Sequence, residues 1–264
     1  MNAVDAETDL AARLQALEDR LAEAEHRAAR AEARGEVENL FSNYMHLHNG
    51  YEDEKIIPLW VKPGTPGMRA QYSNKGVYTS WESITAYHRG RPSPVGKLLL
   101  HYTTTPSIQV AADGRSARGI WIVAGVESGL TDPAQAADAP AFLYERDLVN
   151  GQKVWAHWVA MKYALSFLRQ DGQWRIWRFR CYEVYRAPSG RNWIDFAACT
   201  EAVPDFQRFH ENLAYFGHDG KPVWMPEADG PPETLHCAYR TDTAQAVEPR
   251  PPARYESDPE APAT

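Results

Sequence analysis

The sequence predicts an α+β protein. The first part of the chain carries helical periodicity. The middle is built from long stretches rich in β-branched and aromatic residues. Two Asp-Gly pairs, Asp113-Gly114 and Asp171-Gly172, sit between such stretches as hairpin turns. Helices first and antiparallel strands later is the α+β arrangement, with a curved sheet.

Residues 1–34 read as a heptad helix. Leu10, Leu14, Leu17, Leu21, Ala24, Ala28 and Ala31 fall at spacings of 4, 3, 4, 3, 4 and 3, with Arg and Glu between them. That is an a/d seam with charged flanks, which a coiled coil would bury. A homo-oligomer, dimer or trimer, is therefore expected; a single solvated helix is the alternative. Gly35 is read as a break. A second helix, Glu36 to Asn49, places Val37, Leu40, Phe41, Tyr44, Leu47 and His48 on one stripe and ends at Gly50. A short helical stretch, Asp53 to Val61, stops before Pro63. Ser80 is an N-cap for Trp81 to Arg89.

Strands follow at Leu98–Val110, Ser116–Val126, Lys153–Leu168 and Trp174–Tyr185. Strict alternation in the last puts Trp174, Ile176, Arg178 and Arg180 on one face. The main domain thus spans 35–187. Residues 188–242 hold too many aromatics for a free tail and read as an extension or lid. Residues 243–264 hold five prolines among Glu, Ala and Arg and read as disordered.

The formal charge is −7, against a nucleic-acid partner. No stretch is apolar enough to span a bilayer, and the N-terminus lacks a signal-peptide pattern, so a soluble cytoplasmic protein is expected. The three cysteines, Cys181, Cys199 and Cys237, form no CxxC pair. No glycine-rich phosphate loop, no Gly-x-Ser-x-Gly elbow and no metal-ligand spacing is present, so no cofactor and no metal are expected.

The order of these elements resembles a known family. Tyr44 with Asn49, the run His101-Tyr102-Thr103-Thr104-Thr105-Pro106-Ser107-Ile108, and Asp171-Gly172-Gln173-Trp174-Arg175-Ile176 are similar to the polyketide-cyclase-like (SnoaL-like) branch of the nuclear transport factor 2-like superfamily. The resemblance covers about Glu36 to Arg186. It implies a cone: a bent antiparallel sheet wrapped around helices, with a pocket at its open end. Where dehydratase-like members carry an Asp near the end of the first cone helix, this chain has Asn49, so an Asp–His pair does not transfer. The long first helix and aromatic extension look similar to additions in cofactor-independent lyases of this superfamily that release formaldehyde from lignin-derived diarylpropane diols.

His101, among leucines early in its strand, is the candidate base, imidazole being matched to proton transfer at neutral pH. Tyr44 and His48, at i and i+4, are the candidate acid or orienting pair. Asn49, Tyr51, Tyr78, Trp81, Thr103, Lys162 and Arg178 complete the expected substrate-binding set. Lys162 could stabilise a phenolate if buried, or form an ion pair at an interface. The expected activity is that of a lyase on a small phenolic molecule, losing water and formaldehyde to give a stilbene. A dehydratase or isomerase, and a non-catalytic binding or oligomerisation module, are the alternatives.

Overall fold

The computed structural model describes residues 3–72, 76–90, 96–131, 144–147, 153–197, 215–216, 222–223 and 226–262. A long helix, α1 (Ala3–Asn49), leads into a 3-10 turn, Asp53–Leu59. Strand β1 (Arg69–Gln71) and helix α2 (Trp81–Arg89) come next. The main strands are β2 (Leu98–Val110), β3 (Ser116–Thr131), β4 (Tyr144–Asp147), β5 (Lys153–Gln170) and β6 (Gln173–Pro188). They form one sheet in the order β1-β6-β5-β3-β2, with β4 beside the start of β5. All pairings are antiparallel except β1 with β6. A separate two-stranded ribbon joins β7 (Tyr215–Phe216) to β8 (Pro222–Val223). No described helix is long and apolar enough to cross a membrane.

The sheet bends around α1. Bulges interrupt the ladder at Thr104/Ser107, Ala160/Met161 and Ser166/Phe167, and each adds local twist. Inside the bend, Phe41 of α1 packs 4.3 Å from Trp121, 6.3 Å from Tyr163 and 6.4 Å from Phe179, centroid to centroid. Val37, Tyr44, Ile176 and Trp177 are fully buried around it. This is the expected α+β cone.

Four expectations change. The break at Gly35 does not occur: α1 is continuous through it. A helical glycine costs about 1 kcal/mol against alanine, and Ala33, Val37 and Phe41, all buried, hold both sides of it to the body. The helical stretch after Asn49 is a 3-10 turn that includes Pro58. In β6 the bulge makes Trp177 an extra residue, so Trp174 and Ile176 share the core with Phe179 and Cys181. Strict alternation would have separated them. Finally, residues 243–262 are not disordered. They run as an extended strap over the outer face of the sheet. Backbone bonds from Ala112 to Tyr255 (3.0 Å) and from Asp113 to Glu256 (3.0 Å), with an Arg118–Asp258 ion pair (2.9 Å), hold them. The prolines lower the entropy lost on ordering, so a few such contacts suffice. In the extension, Trp193 stacks on Tyr185 at 5.4 Å. Phe206, Phe209, Trp224 and Cys199 lie outside the described residues.

The leucine seam is exposed: Leu10, Leu14, Leu17 and Leu21 are all more than half accessible. The stripe that faces the body runs instead through His26, Arg30, Ala33, Val37, Phe41, Tyr44 and His48. At about 100° per residue the two stripes lie on opposite sides of the helix.

His157, on the inner face of β5, is buried. Burial first, and then the charge of Arg186, push its imidazole down to about 3. The unfolded chain takes up this proton near pH 6.5, which the folded chain refuses until about pH 3. Stability therefore falls as pH drops through that window. Between pH 6.5 and 4.5 this residue should remove about 2.3 kcal/mol, the slope rising to about 1.36 kcal/mol per pH unit as the unfolded imidazole becomes fully protonated. Urea midpoints at the two pH values should show the loss, and His157→Gln should abolish most of it. Phe41→Ala should cost about 3–5 kcal/mol, read from the same midpoints.

Candidate active site

The inner faces of β2, β3 and β6 assemble a buried chain of polar groups. His101 on β2 projects into the cone and is 6% exposed. Its cross-strand partner on β3 is Gly125. A Cβ there would lie 2.6 Å from His101 Cδ2, so the absent side chain makes the space for the ring. The backbone of His101 is gripped by Asn49. The Asn49 amide accepts from His101 N and donates to His101 O, each at 3.1 Å. The end of α1 is thereby clamped to β2.

Glu127 lies two residues beyond Gly125 on β3. Its Oε1 is 3.0 Å from His101 Nε2. Its Oε2 is 3.1 Å from a guanidinium nitrogen of Arg186. Arg186 also donates to Glu183, at 3.1 Å. Burial opposes the arginine's charge, but Glu127 and Glu183 outweigh it and hold the group protonated, above its usual range. A carboxylate fixed by a buried cation is an acceptor only, so His101 Nε2 carries the hydrogen and Nδ1 presents a lone pair. Facing that lone pair at 3.3 Å is the Tyr163 hydroxyl, from β5. Burial pushes the Tyr163 phenol well up, so it stays protonated and donates.

A second chain starts at Asp53, just beyond α1. Asp53 Oδ1 is 3.2 Å from His88 Nδ1 and 3.6 Å from His48 Nδ1. His88 Nε2 is 3.0 Å from the Tyr72 hydroxyl. Burial, and then Tyr44, keep the Tyr72 phenol protonated. His48 joins the two chains: its ring stacks on Tyr44 at 5.8 Å and lies 5.7 Å from that of His101. Three imidazoles and two carboxylates thus meet inside one cone.

Of the residues expected from the sequence, His101, Tyr44, His48 and Asn49 come together here. Thr103 is half-buried, one alternation along from His101. Tyr51 is half-buried beside Lys97, whose ammonium sits 5.3 Å from the Tyr51 ring and 5.5 Å from that of Trp155. Tyr78 is a core residue whose hydroxyl donates to the Pro226 carbonyl at 3.0 Å. Trp81 packs on the core from the first turn of α2, behind the capping box of Ser80 and Ser83. Lys162 and Arg178 do not belong to the set. Both point to the outer face, Lys162 to the carbonyl of Glu248 and Arg178 to Glu260 and the Gly67 carbonyl. Each sits one residue out of phase with the inward positions of its strand.

Glu127, Tyr163, Arg186 and Asp53 were missed. Glu127 had a signal: Trp121, Val123, Gly125 and Glu127 alternate on one face, ending in a carboxylate. Reading the strand as ending at Val126 hid it. Among the described residues, no three metal-ligating side chains of the cone lie close enough to share an ion.

Residues 29–180, more than half of the chain, match the SnoaL-like domain. Similar solved structures include a putative scytalone dehydratase from Novosphingobium aromaticivorans, at 13% identity and a TM-score of 0.45, covering 63% of this chain and 99% of that one. Another is a hexachlorocyclohexane dehydrochlorinase, LinA-type3, from Novosphingobium barchaimii, at 18% and 0.44, covering 67% and 99%. No functionally curated protein matches the sequence. With its bent sheet, its enclosed helix and the matched span, the chain belongs to the SnoaL-like domain family.

Proposed function

We propose that this protein is a cofactor-independent lyase that converts a small phenolic molecule by proton transfer inside the cone. The observation that carries this reading is the relay Arg186–Glu127–His101, with His101 Nδ1 turned toward Tyr163. Such a relay fixes one tautomer and stabilises the imidazolium that forms when Nδ1 takes a proton. His101 is the base. His48, backed by Asp53 and stacked on Tyr44, supplies the proton for a departing hydroxyl. Tyr51 and Trp155, with the Lys97 ammonium near both rings, form an aromatic and cationic cluster whose chemistry suits a phenol or phenolate.

The finer reading takes a lignin-derived diarylpropane diol as substrate. With the substrate's ring present as its phenolate, the benzylic hydroxyl leaves as water with the proton from His48, and the phenolate's electrons form a quinone methide. Tyr163 then passes its hydroxyl proton to His101 Nδ1 and takes the proton of the terminal hydroxymethyl in its place. The C–C bond breaks, formaldehyde departs, and the bond's electron pair restores the ring and gives a stilbene. Diol becomes stilbene, water and formaldehyde, with no oxidant required. The electron sink lies within the substrate, which is why acid–base groups alone suffice.

We further propose that the leucine seam joins copies of the chain into a dimer or trimer, since it faces away from the body and carries heptad spacing. A chain beginning at Arg27 should then show fewer copies per particle by light scattering with its sheet signal in the far ultraviolet preserved; an unchanged number of copies refutes the seam's role.

The activity test is incubation with phenolic diarylpropane diols, following stilbene absorbance and trapped formaldehyde. Turnover with water loss alone would assign a dehydratase instead. His101→Ala should lower kcat about 10²–10⁴-fold in protein that still folds, as checked by circular dichroism at the assay temperature. A folded, fully active His101→Ala protein refutes the assignment.

A further inference from the structure

On the outer face of the sheet, away from the cone, three donor atoms of different chemistry converge. His236 and Cys237 sit on a 3-10 turn, Leu235–Cys237. Glu248 lies further along the strap. His236 Nε2 is 2.9 Å from Glu248 Oε1, and these two atoms and Cys237 Sγ all lie within 4.8 Å of one another.

Each side of this trio is anchored independently. The turn is tied to β6: buried Thr234 donates its hydroxyl to the Cys181 carbonyl at 2.7 Å, and Tyr239 N donates to the Val184 carbonyl at 2.7 Å. Glu248 is tied to β5, because Lys162 Nζ donates to its carbonyl. The trio is therefore held by the fold rather than by its own contacts. An exposed His–Glu pair contributes little by itself, and the thiol adds nothing to it. An imidazole, a thiolate and a carboxylate are instead a ligand set for zinc or a similar borderline ion, with a fourth position open to water. Tetrahedral sites with such ligands place donor atoms about 3.3–3.8 Å apart, so side-chain rotation alone would close the observed spacing. Thiolate and carboxylate together balance a divalent charge. A groove of about 330 Å³, lined by Lys162, Tyr185, Trp193 and Tyr239, opens beside the donors and gives an ion its path in.

We propose that His236, Cys237 and Glu248 bind a divalent transition ion, zinc by their donor set, and that this ion clips the C-terminal strap to the outer face of the sheet. The site has no part in the cone's proton chemistry.

The test uses the full chain, stripped of metal and titrated with cobalt(II) alone, then with zinc(II) alone. One equivalent of cobalt should give a sulfur-to-cobalt charge-transfer band in the near ultraviolet. Cys237→Ser should abolish that band. Glu248→Gln and His236→Ala should weaken zinc by about tenfold or more. Zinc should also protect Cys237 from alkylation. The proposal is overturned by the absence of the band at stoichiometric cobalt, or by a band that survives Cys237→Ser unchanged. Should Cys237→Ser fail to fold, His236→Ala takes its place, since its side chain is half exposed: zinc binding at full strength in that variant also overturns the clip.

Discussion

The buried charge of Arg186 is what the rest of the site depends on. Two carboxylates, Glu127 and Glu183, lie in the same dry interior, each 7% exposed or less. Ionised alone, either would be costly to bury. Arg186 between them keeps Glu127 an acceptor. Glu127 in turn decides which nitrogen of His101 holds the hydrogen, and so which nitrogen can act as a base. Removing a single member of such a buried set costs about 3–5 kcal/mol, because the charge left behind has no partner. The chemistry of one imidazole is thus set two residues away, by a cation it does not touch.

Arg186 and Glu183 can meet only because β6 is irregular. Residues three apart on a regular strand point to opposite faces. Here Met161 pairs with Glu183 and Ala160 with Tyr185, so Val184 is the extra residue. The bulge returns Arg186 to the inner face, opposite Val159. This explains how much of the protein could be read in advance. Long, strongly patterned elements were legible: the strands, both Asp-Gly hairpins and the Ser80 cap. So were the residues whose type and place spoke together, as with His101 among leucines and the Tyr44/His48 pair. Bulges leave no trace in composition or spacing, so the partners they deliver were invisible. Lys162 stays open between a buried and an interface role in the sequence, and Arg178 is offered to the ligand, for a related reason: with aromatics on both faces, the sequence does not say which face is enclosed. The strap failed because a proline-rich segment without periodicity can still be ordered by contacts that only the folded sheet offers.

Helix α1 serves two surfaces that do not interfere. Its body-facing stripe supplies Phe41 to the core and His48 to the site, while the leucine seam lies on the other side. Residues 9–29 are exposed throughout, though His26 already reaches the Ala112 carbonyl at 2.7 Å. A change in the seam therefore reaches the cone only through the rigid helix, not through shared side chains.

The last turn of α1 also explains Asn49. Its amide offers one donor and one acceptor, and the His101 backbone uses both. An ionised Asp has no donor and would face the His101 carbonyl oxygen with a second negative charge. The carboxylate partner of His101 comes from β3, and the helix position is left to act as a clamp. The clamp joins the residue beside His48 to His101 itself, so it fixes the separation of the two rings. The spacing of the two imidazoles then rests on one side-chain amide, and the electrostatics around His101 on Glu127 and Arg186. Position and charge are divided between two strands and a helix end.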